Sequence, residues 1–446
     1  MPEAASTRPN TDSRARSRVN NVLPQDRSVH EWYRFVLSFP PHLVQDYIGR
    51  FDIRTGGTVL DPFAGTGTTL VECKKRGIAS VGIESNPMAQ FASSVKLDWS
   101  ADPDALSDYA AAVAERARAA IARDGYSDWN DLPLFGARNG NGTRAPLRGL
   151  TPEQNKLLLK DSISPLPLHK TLVLLDAIDT GGASPLPRYG RLALAHALVR
   201  DIGNLKFGPE VGVGKLKEDA PVVDSWLGHM RTMIDDLSQL RDRATVSACI
   251  HQGDARRVDR ILRPRSVDAV ITSPPYPNEK DYTRTTRLES VILGLIGDMC
   301  GLRQLKKDLI RSNTRGVYKG DEDDLEVASH GAIQEIAHKI EHRRLEMGKT
   351  SGFERMYARV TKLYFGGMAK HFAALRTILN PGARLAYVVG DQASYLRVMI
   401  RTGTLLSDIA QSLGYRVEGI DLFRTRLSTA TGEQLREEVV LLQWPK

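Results

Sequence analysis

The sequence predicts an α/β protein built on an open, doubly wound, mostly parallel sheet. Three observations carry this: short apolar strands that stop in glycine, their alternation with helical spacing, and two closing strands too near each other for a crossover helix. Strands are expected near Thr58–Leu60, Ala79–Ile83, Ser247–His251, Asp268–Thr272, Arg384–Val389, Val417–Phe423 and Glu438–Trp444. The last two should pair as an antiparallel hairpin on an otherwise parallel sheet.

With 446 residues, 41% hydrophobic and 26% charged, the chain has the composition of a folded globular protein with room for insertions. Residues 1–24 hold Arg8, Arg14, Arg16 and Arg18 among Ser, Thr, Asn and Pro, which reads as a basic disordered tail without the apolar core of a secretory leader. No apolar stretch nears the roughly 20 residues a membrane-spanning helix needs. The 3 cysteines form no C-x-x-C pair and the histidines no metal spacing, so a reducing cytoplasm and no metal are expected. Asn141-Gly142-Thr143 then reads as a turn rather than a glycosylation site.

The catalytic domain is expected in three parts, 25–100, 246–297 and 353–446. An insertion at 101–245 opens with an alanine-rich helix from Asp104 to Arg123 and returns to helical spacing at Leu192–Val199 and Trp226–Leu240. A second, mainly polar insertion covers 298–352. The net charge of +8 fits a polyanionic partner. So does the run Arg256, Arg257, Arg260, Arg263 and Arg265, although a solvated helix face explains the run equally well.

The first chemical signal is Asp61-Pro62-Phe63-Ala64-Gly65-Thr66-Gly67-Thr68-Thr69, a strand end running through a glycine turn into a helix. Gly65 and Gly67 let the backbone bend and approach a nucleoside cofactor at the carboxyl edge of the sheet. The next strand ends in Glu84-Ser85-Asn86, about 20 residues on, where an acid can hold a ribose diol. A third ends in Asp254-Ala255, and Asp254 can accept from the amine of the cofactor adenine; a helix N-cap is its plainer role. The second signal is Thr272-Ser273-Pro274-Pro275-Tyr276, a buried strand stopping in a rigid double-proline turn that carries one hydroxyl and one ring.

Together these motifs resemble motifs I and IV of the S-adenosylmethionine (SAM)-dependent DNA amino-methyltransferases. The stretch from His30 to Phe35 and on through Phe39 to Val44 is similar to that family's motif X, which helps enclose the methionine part of SAM. The resemblance covers about half the chain and implies a seven-stranded Rossmann-like methyltransferase fold with SAM as donor. It implies cofactor contacts from His30, Tyr33, Pro40, Asp61, Pro62, Phe63, Gly65, Gly67, Thr68, Thr69, Glu84, Ser85, Asn86, Asp254 and Ala255. The catalytic set is Ser273, Pro274, Pro275 and Tyr276. An exocyclic amine is a poor nucleophile because its lone pair is delocalised into the ring. Ser273 Oγ and the Pro274 carbonyl would draw its N–H groups toward tetrahedral geometry while Tyr276 stacks on a base flipped from double-stranded DNA.

Serine at the head of the four-residue motif is typical of cytosine-N4 members, and aspartate or asparagine of adenine-N6 members, so N4-methylcytosine is the expected product and N6-methyladenine the alternative. Without a Pro-Cys dipeptide, cytosine-C5 chemistry is disfavoured. An RNA amino-methyltransferase and a noncatalytic DNA-binding subunit are the further alternatives. A bacterial restriction-modification role is implied, with a restriction endonuclease acting on the same site, or an orphan role without one. The insertion at 101–245 is the candidate DNA-recognition subdomain. It departs from the family pattern by preceding Gly253-Asp254-Ala255 rather than motif IV directly. After motif IV, Asn278, Lys280, Asp281, Tyr282, Thr283, Arg284 and Arg287 can line a base pocket or meet phosphates. Gly208–Lys215 mimics a phosphate-binding loop with the wrong spacing, and is expected to be a flexible loop over the cleft or DNA.

Overall fold

The computed structural model describes residues 22–33, 38–128, 144–180, 185–208, 210–278, 280–427 and 432–446. Most of the basic tail, Arg34 and Phe35, and the Asn141-Gly142-Thr143 sequon lie outside them. Strands β1 (Thr58–Asp61), β2 (Ala79–Glu84), β5 (Ala248–Gln252), β6 (Val267–Thr272), β7 (Leu379–Gly390), β8 (Arg416–Leu427) and β9 (Gln434–Gln443) form one sheet in the order β5-β2-β1-β6-β7-β9-β8. All seven expected strands are present. β5 to β7 run parallel along the sheet, in registers such as Leu60↔Val81 and Val270↔Leu385. β9 is antiparallel to both its neighbours, so the closing hairpin inserts its second strand between β7 and β8.

The central strands are covered on both faces, which is why β1, β6 and β7 read as continuous apolar runs rather than alternating ones. One face meets helices α1 (Pro41–Arg50) and α2 (Thr68–Lys75), and the chain continues in α3 (Pro87–Lys96). The Asn86 carboxamide caps α3 by accepting from the Met88 and Ala89 N–H groups. The first insertion supplies α4 (Pro103–Arg123), α5 (Pro165–Asp179), α6 (Leu186–Ala197) and α7 (Val222–Leu240). Their apolar faces share one buried cluster with Leu70 of α2 and Met88 and Ala92 of α3, so this helical layer is continuous with the sheet domain. In the second insertion α8 (Met299–Asp308) and α9 (Gly331–Glu346) precede α10 (Tyr357–Leu375), and Gly366 of α10 lets the backbone of Asp323 lie against it: a Cβ there would stand 1.8 Å from the Asp323 carbonyl oxygen. α11 (Thr402–Ser412) completes the other face.

One expectation is corrected. The Gly208–Lys215 segment, expected as a flexible loop, belongs to a two-stranded antiparallel ribbon of β3 (Leu205–Phe207) and β4 (Val211–Val213), although Pro209 at its turn lies outside the described residues. Cross-strand bonding and the apolar Leu205, Phe207, Val211 and Val213 outweigh the glycines. Among the described residues no helix is long and apolar enough to cross a membrane.

Candidate active site

Because β5, β2, β1, β6 and β7 are parallel, their carboxyl ends meet at one edge, where open α/β sheets bind ligands. A cavity of about 390 Å³ lies there. Of the expected cofactor residues, Pro40, Pro62, Phe63, Gly65, Thr68, Glu84, Ser85, Asn86, Asp254 and Ala255 line it, together with all four of Ser273, Pro274, Pro275 and Tyr276.

On the side of the glycine turn, Gly65 takes a left-handed φ of 51° and its N–H donates to Glu84 Oε2 at 2.8 Å. The Asn86 N–H donates to Glu84 Oε1 at 2.7 Å. Burial nevertheless pushes the Glu84 carboxyl up to about 7 against these two hydrogen bonds. Ser85 Oγ donates to the Gly253 carbonyl at 2.6 Å and so ties the ends of β2 and β5 together. Asp254 caps the short turn Ala255–Arg257 and takes the Arg256 guanidinium on both oxygens, so the N-cap role is realised at a residue that also lines the cavity. Behind Phe63, His371 Nδ1 lies 2.8 Å from the Ala255 carbonyl, which requires a proton on that nitrogen, so Nε2 accepts from Tyr387 Oη at 2.6 Å.

Five expected cofactor residues do not reach the cavity wall, each for a physical reason. His30 is buried against Glu72 at 2.9 Å, where burial pulls its imidazole down to about 4. Tyr33 donates its hydroxyl to buried Glu289. Gly67, with φ 83°, starts α2 and packs on Ser93, whose Oγ would stand 2.4 Å from an added Cβ. Asp61 is fully buried and accepts from the Phe63 N–H at 3.1 Å and Thr272 Oγ1 at 2.6 Å. Thr69 donates to the Ile271 carbonyl at 3.1 Å. Asp61 and Thr69 therefore stitch the glycine turn to the strand that carries Ser273. Burial pushes the Asp61 carboxyl up to about 6.

On the other side, Ser273 Oγ donates to the Val388 carbonyl at 3.0 Å. The Tyr276 N–H donates to Tyr282 Oη at 3.2 Å. The Tyr276 ring lies against Gly390 at the end of β7, where an added Cβ would meet Cε2 at 3.0 Å. Asn278, Lys280, Asp281 and Tyr282 line the cavity, whereas Thr283 and Arg287 brace the turn behind it: Thr283 Oγ1 donates to Asp281 at 2.7 Å and Arg287 donates to the Thr283 carbonyl at 3.1 Å.

Sequence reasoning missed a whole wall. Residues of the second insertion from Lys306 to Gly316 close one side, and Phe423, Arg424, Arg426 and Glu437 of the closing hairpin form part of the rim. Arg311, buried, donates to both oxygens of Asp321 at 2.9 and 2.7 Å and to the Lys306 carbonyl at 2.8 Å, which fixes the loop. Asn313 Nδ2 donates to the Lys280 carbonyl at 3.1 Å. No local pattern marks this loop; its only sequence signal is a density of charged and amide side chains in a stretch without helical period.

The strand order and the position of this cavity define a seven-stranded α/β fold of the methyltransferase type. A family model described as DNA methylase (N6_N4_Mtase) matches residues 7–92. The Type II methyltransferase M.BsoBI of Geobacillus stearothermophilus is 25% identical over 439 residues, covering 91% of this chain and 82% of that protein. M.AvaI of a Nostoc species is 23% identical over 438 residues, covering 92% and 83%. By these matches the chain is similar to DNA methylases of the N6_N4_Mtase type and to Type II methyltransferases. Among solved structures, TrmN from Thermus thermophilus aligns with 94% of this chain and 52% of its own at 12% identity, with a TM-score of 0.28, too loose a match to carry weight.

Proposed function

We propose that this protein transfers a methyl group from SAM to the N4 amine of a cytosine flipped out of duplex DNA. The observation that carries the reading is the hydrogen bond of Ser273: with its proton donated to the Val388 carbonyl, the oxygen that lines the cavity is left as an acceptor. An acceptor is what a conjugated amine needs, since drawing on its N–H groups localises the nitrogen lone pair. The Pro274 carbonyl takes the second N–H, and the Tyr276 ring stacks on the base, offsetting part of the few kcal/mol that unstacking costs.

The other side of the cavity suits a nucleoside donor. Nothing lies within 4 Å of where a Gly65 Cβ would stand, so the turn opens toward the cavity, and Glu84 holds its carboxylate there for a ribose diol. Glu84, Phe63, Asp254 and Pro40 would hold SAM, which supplies an electrophilic sulfonium methyl. Asp61 and Thr69 set the distance between the two halves, and His30 and Tyr33 hold the N-terminal segment from behind.

The two relatives' names, Type II methyltransferase, support a site-specific role beside a restriction endonuclease with the same target. The test is nucleoside mass spectrometry of mixed-sequence duplex DNA incubated with the protein and isotopically labelled SAM. Labelled N4-methylcytosine is expected. Labelled N6-methyladenine would keep the mechanism and change the base, whereas label found only in RNA would overturn the assignment.

A further inference from the structure

We infer that the short β3–β4 ribbon is a DNA-contacting element that seats in a groove of the duplex beside the flipped base. The inference rests on the proposed function and adds to it the part of the chain that meets the helix outside the cavity.

The ribbon is rigidly rooted. Buried Asn204 donates from Nδ2 to the Asp161 carbonyl and to Ser164 Oγ, each at 3.0 Å, and its Oδ1 accepts from the Lys217 N–H at 2.9 Å. The Gly214 N–H donates to the Asn204 carbonyl at 2.7 Å, and Lys217 Nζ donates to the carbonyls of Asp201 at 2.6 Å and Gly203 at 2.9 Å. Such a root holds a projecting element in one direction.

Beyond the root, one face is left bare. Cross-strand pairs Leu205↔Val213 and Phe207↔Val211 share one face, on which Val211 is buried, Leu205 and Phe207 are half-buried and Val213 is exposed, while Lys206↔Gly212 falls on the other, outer face. Nothing in the described chain comes within 4 Å of a Cβ built at Gly212, and Gly212 has no positive φ to require glycine. Lys206 and Lys215 are exposed, and neither forms an ion pair with a described residue. A two-stranded ribbon whose thin outer face carries Lys206, with Lys215 exposed just past its second strand, fits the major groove, roughly 12 Å wide, and can approach phosphates closely.

Position and charge agree. At the ribbon's turn Glu210 lies 3.3 Å from Arg284 and 3.7 Å from Arg315. Arg284 belongs to the helix Tyr282–Thr285, which directly follows the Ser-Pro-Pro-Tyr turn. The rim beside it adds Lys280, Arg424 and Arg426. Cations at this corner, Lys280, Arg284, Arg315, Arg424 and Arg426, outnumber the carboxylates of Glu210, Asp281 and Glu437, as a polyanion requires.

The test compares the full-length protein with a Lys206→Ala/Lys215→Ala variant after the wild-type target has been mapped by sequencing methylated genomic DNA. For a duplex carrying that site the variant should bind about tenfold more weakly, with the slope of log affinity against log salt reduced by roughly one unit per lost phosphate contact. SAM affinity and melting temperature should not move. Gly212→Leu, which adds bulk to open space without changing charge, should weaken duplex binding as well. Unchanged duplex affinity and salt slope in both variants, with an active wild type, would overturn the ribbon and leave the proposed function standing. A wild type that methylates RNA or no nucleic acid would overturn both.

Discussion

The two sides of the cavity are built by different means. On the side proposed for SAM, the main polar groups come within a few residues of a strand end: Gly65 after β1, Glu84 to Asn86 at the end of β2, Asp254 after β5. On the side proposed for the base, the Ser273–Tyr276 turn is local, but its surroundings come from β7, the 306–316 loop and the closing hairpin, segments far apart in sequence. The first side is a property of short motifs and the second of tertiary packing, so substitutions on the two sides should separate donor binding from turnover.

The sharpest separation is expected at Ser273. Ser273→Ala removes the acceptor and takes from the Val388 carbonyl the donor it has in Ser273, and kcat should fall about a hundredfold or more, the loss typical of one oriented hydrogen-bonding group in a transition state. SAM affinity by calorimetry should stay unchanged. A variant that kept its kcat would break the assignment of this side. Tyr276→Ala should come next, lowering kcat/KM for DNA by about tenfold or more through lost stacking, again without effect on SAM. Full activity in that variant would mean that the base lies elsewhere in the cavity.

The same contrast explains what the sequence could tell. All seven strands were legible because buried parallel strands are apolar runs ended by glycine or a cap, and the antiparallel hairpin followed from its short connection. β9's place between β7 and β8 was not legible, since strand order depends on which face each connection crosses. The glycine turn, Glu84 and Ser273 were legible for their local geometry. His30, Tyr33, Asp61, Gly67 and Thr69 stand behind the cavity wall rather than in it, because a motif does not say whether a side chain faces the cavity or the residues behind it. Asp61, 0% exposed and bonded to Thr272, shows how much of such a motif holds two strands together. The Arg311–Asp321 pair that sets the far wall is held in turn by Arg359 of α10, which donates to the Asp321 carbonyl at 2.9 Å, a contact no local pattern announces.

A smaller effect should sharpen the SAM side. Burial raises the Glu84 carboxyl from the ordinary carboxylate range to about 7, so near neutral pH it is partly protonated in the folded protein. Only the ionised form can accept from both ribose hydroxyls, and SAM affinity should rise by up to about tenfold from pH 6 to pH 8, the span over which such a group ionises. The stability of the free protein runs the other way: a carboxyl with a raised folded-state value contributes a penalty that sets in as pH climbs above about 4.5 and is complete above about 7. Calorimetry at three pH values checks both signs, and Glu84→Gln should flatten both profiles. A pH-independent affinity in the wild type would remove Glu84 from the ribose.

The smallest effect tests whether the base side depends on tertiary fit as closely as its construction implies. At Gly390 an added Cβ would stand 3.0 Å from Tyr276 Cε2 and 3.5 Å from Glu437 Cγ. The strand itself gains from alanine, which loses less backbone freedom on folding than glycine, so Gly390→Ala should leave the melting temperature within about 2 °C of wild type. The ring, however, must shift by a few tenths of an ångström. If stacking depends on its present plane, kcat/KM for DNA should drop about two- to fivefold, on the order of 0.5–1 kcal/mol, with SAM affinity intact. An unchanged kcat/KM would show that the ring tolerates displacement, and that the far wall of the cavity, rather than Tyr276, fixes the plane of the base.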